Sequence, residues 1–382
     1  MRLGRLDFKH ILAESLIVLF SVIYALIKAA NTEDGHNNIY IAAIGLVCFV
    51  YYLIVGDKNI KKQSIVTGLL FSLLMIVSML YNNNAKIEYI VWIWCYMGVA
   101  LLFRDFRLSS ITATLTCYFI LILFLARVLI WGASSDYSGA EMFMEGNNSI
   151  SVICIYASAL FYVTKYLNTP KSTLSYIPVV LVILIATIYA NRGGMLVGFV
   201  LFAFVFYYNF KQSSSRLKNY ILILLVLIFA YFAYTIGYDT FGAGLQYKLE
   251  HVGSDSSRSA VWSEYIRACF DNGFNFLLGV PCFDRSYPVI NEVSGNLHNS
   301  FLILHSKFGI IPFIWMIIIQ IRCLGFLHRI KCTVLVYCLI SIYLRSFFDW
   351  AAFPGLFDVF FWYAWSITVS KNRFRKEFEL SR

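Results

Sequence analysis

Charged residues are scarce in this chain. They make up 14% of its 382 residues, whereas hydrophobic residues make up 60% and the mean hydropathy is +0.71. A soluble globular protein has about 25% charged residues, so the composition excludes a water-soluble chain. The sequence also lacks cysteine and histidine spacings typical of zinc sites, and it shows no internal repeat or low-complexity tract. No basic patch interleaved with aromatic residues occurs in a polar region, so the net charge of +10 does not indicate a nucleic-acid partner.

The sequence contains instead a series of long apolar runs. Each is about 15 to 22 residues long, which is the length with which an α-helix crosses about 30 Å of hydrocarbon. We predict an all-α polytopic membrane protein with about twelve transmembrane helices. The predicted spans are residues 11–29, 39–55, 65–81, 89–103, 111–131, 150–166, 176–190, 195–208, 220–236, 301–321, 333–348 and 356–370.

One segment between the predicted helices is much longer than the others. It covers residues 237–299 and follows the ninth helix, so it is predicted to form a loop subdomain. The chain therefore divides into helices one to nine (1–236), this loop (237–299), and helices ten to twelve with a polar tail (300–382).

Lysine and arginine are distributed unequally between the two sets of connecting segments. One set, which includes both termini, holds twenty-one of them, and the other set holds six. Cytoplasmic loops retain positive charge during membrane insertion. We therefore expect both termini to be cytoplasmic and the long loop to be external. The six basic residues of the external set are Lys86, Arg192, Lys248, Arg258, Arg267 and Arg285.

Within the long loop, an amphipathic helix is predicted after a polar turn. Ser257 is the expected N-cap, Arg258 lies in the first turn, and the helix should break at residues 271–273. Its apolar stripe consists of Val261, Trp262, Tyr265, Ile266 and Cys269. A cation at a helix N-terminus is unfavourable, so either the helix begins elsewhere or Arg258 serves an anionic ligand. Cys269 and Cys282 share this loop, and a disulfide between them is left open.

Arg192 stands beside two glycines in a short external turn between two apolar runs. A guanidinium there suits bidentate binding of a phosphate, and the alternative is that it snorkels to lipid phosphates. His298 and Asn299 open the tenth predicted helix, as a helix cap or as part of a site. Deeper in the same helix, Lys307 should face a cavity or a partner side chain rather than lipid. Arg345 and Asp349, four residues apart, are most simply an ion pair.

These features occur in an order that resembles a known superfamily. The order is an arginine in an external turn (Arg192), an Arg-x-x-x-Trp helix from Arg258 to Trp262, a glycine at Gly279, and His298-Asn299 followed after nine residues by Gly309. It resembles the O-antigen polymerase and O-antigen ligase superfamily of bacterial envelopes. The motif-level likeness is confined to about residues 191–312. The ligase pattern has Gly, Thr or Tyr where this chain has Pro312, which favours a Wzy-type polymerase.

The resemblance implies a C-type glycosyltransferase membrane fold and a reaction on the periplasmic face of the bacterial inner membrane. The substrates would be glycan donor and acceptor linked to undecaprenyl pyrophosphate, with membrane lipids and a chain-length regulator as further partners. His298, Arg192 and Arg258 would be catalytic. The substrate-binding residues would be Asn299, Arg267, Arg285, Trp262, Tyr265 and Lys307.

The chemistry of these residue types agrees with that expectation. Arginines can stabilise a departing pyrophosphate without a metal or cofactor, and a histidine can take the proton of an attacking sugar hydroxyl. Two alternatives remain at this point. One is an O-antigen ligase that transfers glycan to the lipid A-core, and the other is a transporter or flippase, against which the absence of an inverted repeat argues.

Overall fold

The computed structural model describes residues 8–30, 38–82, 84, 86–131, 148–189, 191–212, 220, 256–293 and 295–381. In this part of the chain the regular structure is entirely helical. The helices are α1 Phe8–Ala30, α2 Asn38–Val55, α3 Lys58–Tyr81, α4 Glu88–Asp105, α5 Ser110–Trp131, α6 Asn148–Asn168, α7 Ile177–Ile188, α8 Arg192–Gln212, α9 Ser256–Asp271, α10 Gly273–Leu278, α11 Pro288–Glu292, α12 Ser300–Phe308, α13 Ile310–Arg329, α14 Thr333–Phe348, α15 Asp358–Val369 and α16 Lys371–Ser381.

The prediction of a polytopic helical membrane protein is confirmed at this level. Seven described helices are long and apolar enough to cross a membrane, namely α1, α2, α3, α5, α6, α8 and α13. Two shorter apolar helices, α7 and α14, also correspond to predicted spans. The ninth predicted span, residues 220–236, and the loop residues 237–255 lie outside the described residues apart from Tyr220.

The tenth predicted span differs from the observed structure. Residues 301–321 were expected to form one helix, but the chain forms α12 and α13 with a break at Gly309. Gly309 has φ +80°, and a Cβ there would collide with the carbonyl of Leu277 at the end of α10. Gly279 has φ +95°, and a Cβ there would likewise collide with the carbonyl oxygen of Ser306 in α12. The two glycines therefore interlock α10 with the α12–α13 break, because only glycine accepts both the dihedral and the close approach.

The membrane helices pack through small residues. A Cβ at Gly45 of α2 would lie 2.6 Å from the Cβ of Cys95 in α4, and one at Gly98 of α4 would lie 2.5 Å from the backbone nitrogen of Phe49. Such small residues allow two helices to approach closely where the hydrophobic effect provides no drive. Helices α6 and α15 are almost wholly buried inside the bundle, so polar side chains on α6 face protein and not lipid.

Helices α9 to α11 form a small subdomain at one end of the bundle, which we call the loop end. At this end α3 terminates at Tyr81 and α12 begins at Ser300. The subdomain has its own apolar core, which contains Val261, Tyr265, Val280 and Leu297. Helix α9 begins at Ser256, so the predicted N-cap Ser257 is already helical, and the predicted break at residues 271–273 is confirmed. The loop end is where the predicted site residues lie.

Candidate functional site

A buried ion pair is at the centre of the site. Nη2 of Arg345, in the last turn of α14, lies 3.0 Å from Oδ2 of Asp349, which follows the helix. The two side chains are only 1% and 6% exposed. Nη2 and Nε of Arg345 also donate to Oγ of Ser151 on α6, at 3.2 and 3.3 Å. The pair that the i, i+4 spacing predicted is thus confirmed, and it is held against the buried helix α6.

His298 faces this pair from the turn before α12. Its Nδ1 lies 3.8 Å from Oδ1 of Asp349, and its side chain is 27% exposed. Nδ1 is enclosed and has no hydrogen-bond partner among the described residues, so Nε2 is the nitrogen left to accept a proton. The backbone of His298 is left-handed, with φ +47°, and its amide donates to Oδ1 of Asn296 at 3.0 Å. An unusual backbone conformation therefore directs the ring towards Asp349.

The Asp349 carboxylate is ionised in these surroundings. Burial alone would raise the pKa of Asp349, but His298, the Arg345 guanidinium and the backbone amide of Trp350 lower that pKa to about 2. The Trp350 amide donates to Oδ1 at 2.8 Å. The site therefore holds a negative charge 3.8 Å from the imidazole of His298.

Arg258 approaches the same pair from the loop subdomain. Its Nη1 donates to the carbonyl oxygen of Phe348 at 3.2 Å, one residue before Asp349, and it is close enough to interact electrostatically with Arg345. Arg258 lies in the first turn of α9, as predicted, and is part-buried. Its position therefore joins α9 to the end of α14 and adds a second positive charge to the site.

The turn that carries Arg192 packs on the other side of Arg345. Arg192 is the first residue of α8, and a Cβ on Gly193 would lie 3.5 Å from Nη1 of Arg345. A Cβ on Gly194 would lie 2.5 Å from the Cβ of Ser151. The glycines thus allow the turn to lie directly on α6 and α14. Arg192 itself is exposed, and among the described residues no hydrogen bond or ion pair engages its guanidinium.

Together these residues place two guanidinium groups and one carboxylate near a histidine, and the turn that begins with Arg192 packs against one of those guanidinium groups. They come from α8, α9, the turn before α12, and the end of α14. The arrangement carries excess positive charge and retains an exposed arginine, which suits an anionic ligand with two charges. The sequence prediction named Arg192, Arg258 and His298, but it gave Arg345 and Asp349 only a structural role. Ionisable residues at the end of an apolar helix are a signal that points to such a site.

Three of the predicted binding residues have structural partners. Nε1 of Trp262 donates to the carbonyl of Leu297 at 2.8 Å. This hydrogen bond fixes the backbone of the residue that precedes His298. The side chain of Asn299 is buried and accepts from the amides of Phe301 and Leu302 as the N-cap of α12. Tyr265 is 1% exposed in the subdomain core. Its hydroxyl lies 2.7 Å from Nδ1 of His305.

Lys307 lies next to the site but inside the protein. Its Nζ is 3.7 Å from the ring centroid of Trp350 and 4.2 Å from that of Tyr89. It is 6% exposed and has no hydrogen-bond partner among the described residues. Trp350 directly follows Asp349, so Lys307 packs against the residue next to the ion pair. It faces partner side chains, as the sequence predicts.

Arg267 and Arg285 are not brought to this cluster. The side chain of Arg267 is 69% exposed and lies 4.0 Å from Glu264 one turn before it, and Arg285 is exposed in the turn before α11. Cys269 and Cys282, whose pairing the sequence left open, are free thiols.

Comparison with known proteins gives no relative: no family model matches the chain, and neither a curated protein nor a solved structure is significantly similar to it. The function therefore has to be argued from the geometry of the site and the chemistry of its residues.

Proposed function

We propose that this chain is an inner-membrane glycosyltransferase that joins lipid-linked oligosaccharide repeat units, as an O-antigen polymerase of Wzy type does. The observation that carries the proposal is that Arg345 and Arg258 meet at the end of α14, where Asp349 faces His298, while the turn that begins with Arg192 packs on Arg345. A general base next to a cluster of cations is what transfer from a pyrophosphate-linked donor requires.

The cations are suited to the leaving group. Undecaprenyl pyrophosphate is anionic on a long apolar tail, so it needs cations at headgroup level and a path from the lipid. Arg345 is buried and paired with Asp349, so it adds fixed positive charge and positions the carboxylate. Arg192, which is exposed, and Arg258 are then the groups that contact the phosphates. Their charge stabilises the oxygen that gains negative charge when the pyrophosphate departs.

His298 is the general base of the proposed reaction. A hydroxyl oxygen of the acceptor sugar attacks the anomeric carbon of the donor, and the bond from that carbon to the pyrophosphate oxygen breaks with its electron pair on the pyrophosphate. The hydroxyl proton passes to Nε2 of His298, and the ionised Asp349 stabilises the imidazolium through Nδ1. A single displacement of this kind inverts the anomeric centre, and it needs no covalent intermediate on the protein.

The test of this function is the lipopolysaccharide ladder of a strain that lacks the protein. A polymerase deletion leaves core carrying a single repeat unit, because the ligase still transfers unpolymerised units. Bare core together with long polymer on the carrier lipid would assign the ligase reaction instead. A ladder identical to that of the parent strain would reject both reactions.

The proposal includes twelve spans, cytoplasmic termini and a periplasmic site, and this orientation has its own test. Single cysteines at Ser286 and Asn372, both exposed, would be treated with a membrane-impermeant maleimide in intact cells with a permeable outer membrane. Labelling is expected at Ser286 only, and at Asn372 after lysis. The parent protein is the blank, because its nine cysteines are buried. Labelling of Asn372 alone in intact cells would invert the orientation.

A further inference from the structure

The loop subdomain presents an apolar surface that its own core does not cover. Ile266, Phe270, Phe274 and Leu277 lie on α9 and α10, and each side chain is more than half exposed. Phe270 stacks on Phe276, with 5.9 Å between the ring centroids. Each Å² of apolar surface that stays in contact with water, and is not buried, costs roughly 25 cal/mol. A contiguous patch of this kind marks a binding surface.

Helix α10 lies beside the membrane helices rather than beyond their ends. The carbonyl oxygen of Leu278 accepts hydrogen bonds from Oγ of Ser78 at 2.6 Å and from Nδ2 of Asn82 at 2.9 Å. Ser78 is almost a full turn inside α3, which ends at Tyr81. On its other side, α10 touches the α12–α13 break, where Gly309 meets the carbonyl of Leu277. The short helix therefore fills the space between the last turn of α3 and the start of α13.

The exposed surface of α10 continues the apolar surface of its two neighbours. Leu80 near the end of α3 is 85% exposed, and Ile311 at the start of α13 is 59% exposed. Both helices are among the candidate membrane spans, so these side chains face lipid. Phe274 also packs on Tyr81 of α3, with ring centroids 5.7 Å apart. The lipid that covers Leu80 and Ile311 therefore also reaches Phe274 and Leu277.

We propose that α10 and the last turn of α9 are inserted into the lipid leaflet at the loop end, with the phospholipid acyl chains as their partner. A short amphipathic segment that lies in the plane of the interface buries its apolar side chains in this way. The polar turn at residues 284–286, which is exposed in the same subdomain, stays in water. The insertion anchors the C-terminal end of α9, the helix whose first turn carries Arg258. It depends on the chain spanning a bilayer and not on the reaction proposed above.

Site-directed spin labelling of the full chain in phosphatidylcholine and phosphatidylglycerol nanodiscs tests this insertion. Cysteines replace Phe270, Phe274 and Leu277 one at a time, and a nitroxide is attached to each. These side chains are exposed, so the label displaces no core residue, and the unlabelled parent with its buried cysteines is the blank. Collision with oxygen, which concentrates in the bilayer, is compared with collision with a water-soluble nickel chelate.

Two reference positions fix the scale of this experiment. Leu80→Cys reports the lipid-facing side of α3, and Ser286→Cys reports the polar turn of the same subdomain. The ratio of oxygen to nickel collisions at Phe270, Phe274 and Leu277 is expected to match that of Leu80 and to exceed that of Ser286. Ratios nearer to that of Ser286 at these positions would overturn the proposal. The readout requires no substrate, so its failure would leave the glycosyl transfer proposal standing.

Discussion

His298 and Asp349 face each other across 3.8 Å, measured from Nδ1 of the imidazole to Oδ1 of the carboxylate. This distance is too long for a hydrogen bond of ordinary strength, and it should shorten when the ring takes up a proton. The carboxylate is held in place by Arg345 and by the Trp350 amide. The imidazole of His298 is therefore the group that moves when this distance shortens. The relationship predicts different consequences for changes at the two residues.

The first prediction concerns His298. In the proposed reaction His298 is the base for the attacking hydroxyl, so it should be needed for turnover but not for binding of the carrier lipid. His298→Ala is expected to lower kcat by about 10² to 10⁴, with donor binding retained. The measurement is transfer by purified protein with a synthetic lipid pyrophosphate glycan, next to a binding assay with the donor alone. Near-normal kcat in His298→Ala would reject the general-base role.

The second prediction separates the positioning role of Asp349 from its contribution to stability. Asp349→Asn leaves the buried Arg345 without its counter-charge and should destabilise the protein by about 3 to 5 kcal/mol. The double variant Arg345→Met with Asp349→Leu removes both charges and should regain most of that stability. Its kcat should remain low, because no carboxylate then faces His298. Wild-type kcat in the stable double variant would mean that the pair acts in folding alone.

The same variants give a pH test of this pair. The pKa of Asp349 is lowered to about 2 in the folded protein, below an unfolded value of about 3.9. A lowered carboxylate pKa stabilises the fold above the unfolded pKa, and that contribution is lost as the pH falls through the folded pKa. With His298→Ala as a common background, so that no imidazole faces the carboxylate, the change in melting temperature caused by Asp349→Asn should therefore be constant from pH 8 to 5. It should shrink only below about pH 4.

The third prediction concerns the two arginines assigned to the pyrophosphate. Arg192→Ala and Arg258→Ala should each lower kcat/KM for the lipid-linked donor by roughly 10- to 100-fold, as expected for loss of a charge-assisted hydrogen bond. Arg192→Lys should recover only part of this loss, because an ammonium cannot bind two oxygens in the fork geometry.

Lys86 provides the matched control for the arginine variants. It is an exposed cation whose charge reaches Lys307, and no hydrogen bond or ion pair joins it to Arg192, Arg258 or Arg345 among the described residues. Lys86→Ala should therefore keep wild-type kcat/KM. An equal loss in Lys86→Ala would show that general positive charge near the membrane, and not a built site, accounts for the effect.

Much of the helical framework could be predicted from apolar run length. The span predicted at residues 333–348 coincides with α14, because a basic residue and Asp349 flank its apolar run. The break at Gly309 could not be predicted, since it depends on contact with Leu277 of a distant segment. In the same way, spacing predicted the pairing of Arg345 with Asp349, but their approach to His298 is set by tertiary packing. Ser300 illustrates this, since its hydroxyl donates to the Asp349 carbonyl at 2.7 Å and so ties α12 to the end of α14.

The last prediction tests whether the glycine interlock positions the site. Gly309→Ala and Gly279→Ala place a Cβ at a left-handed residue and against a carbonyl oxygen. The backbone conformation, with positive φ and ψ of -177° at Gly309 and 150° at Gly279, alone costs a residue with a Cβ about 1 to 3 kcal/mol, and the collision adds to it, so the melting temperature in detergent should fall. Gly273, at the start of α10, has no atom within 4 Å of the position its Cβ would take. Gly273→Ala should thus keep or slightly raise the melting temperature. Because α12 directly follows the turn that carries His298 and the interlock holds α12 against α10, the two interlock variants should also lose activity at temperatures where they remain folded. A Gly309→Ala protein with the stability and activity of Gly273→Ala would show that the α12–α13 break is not held by this contact.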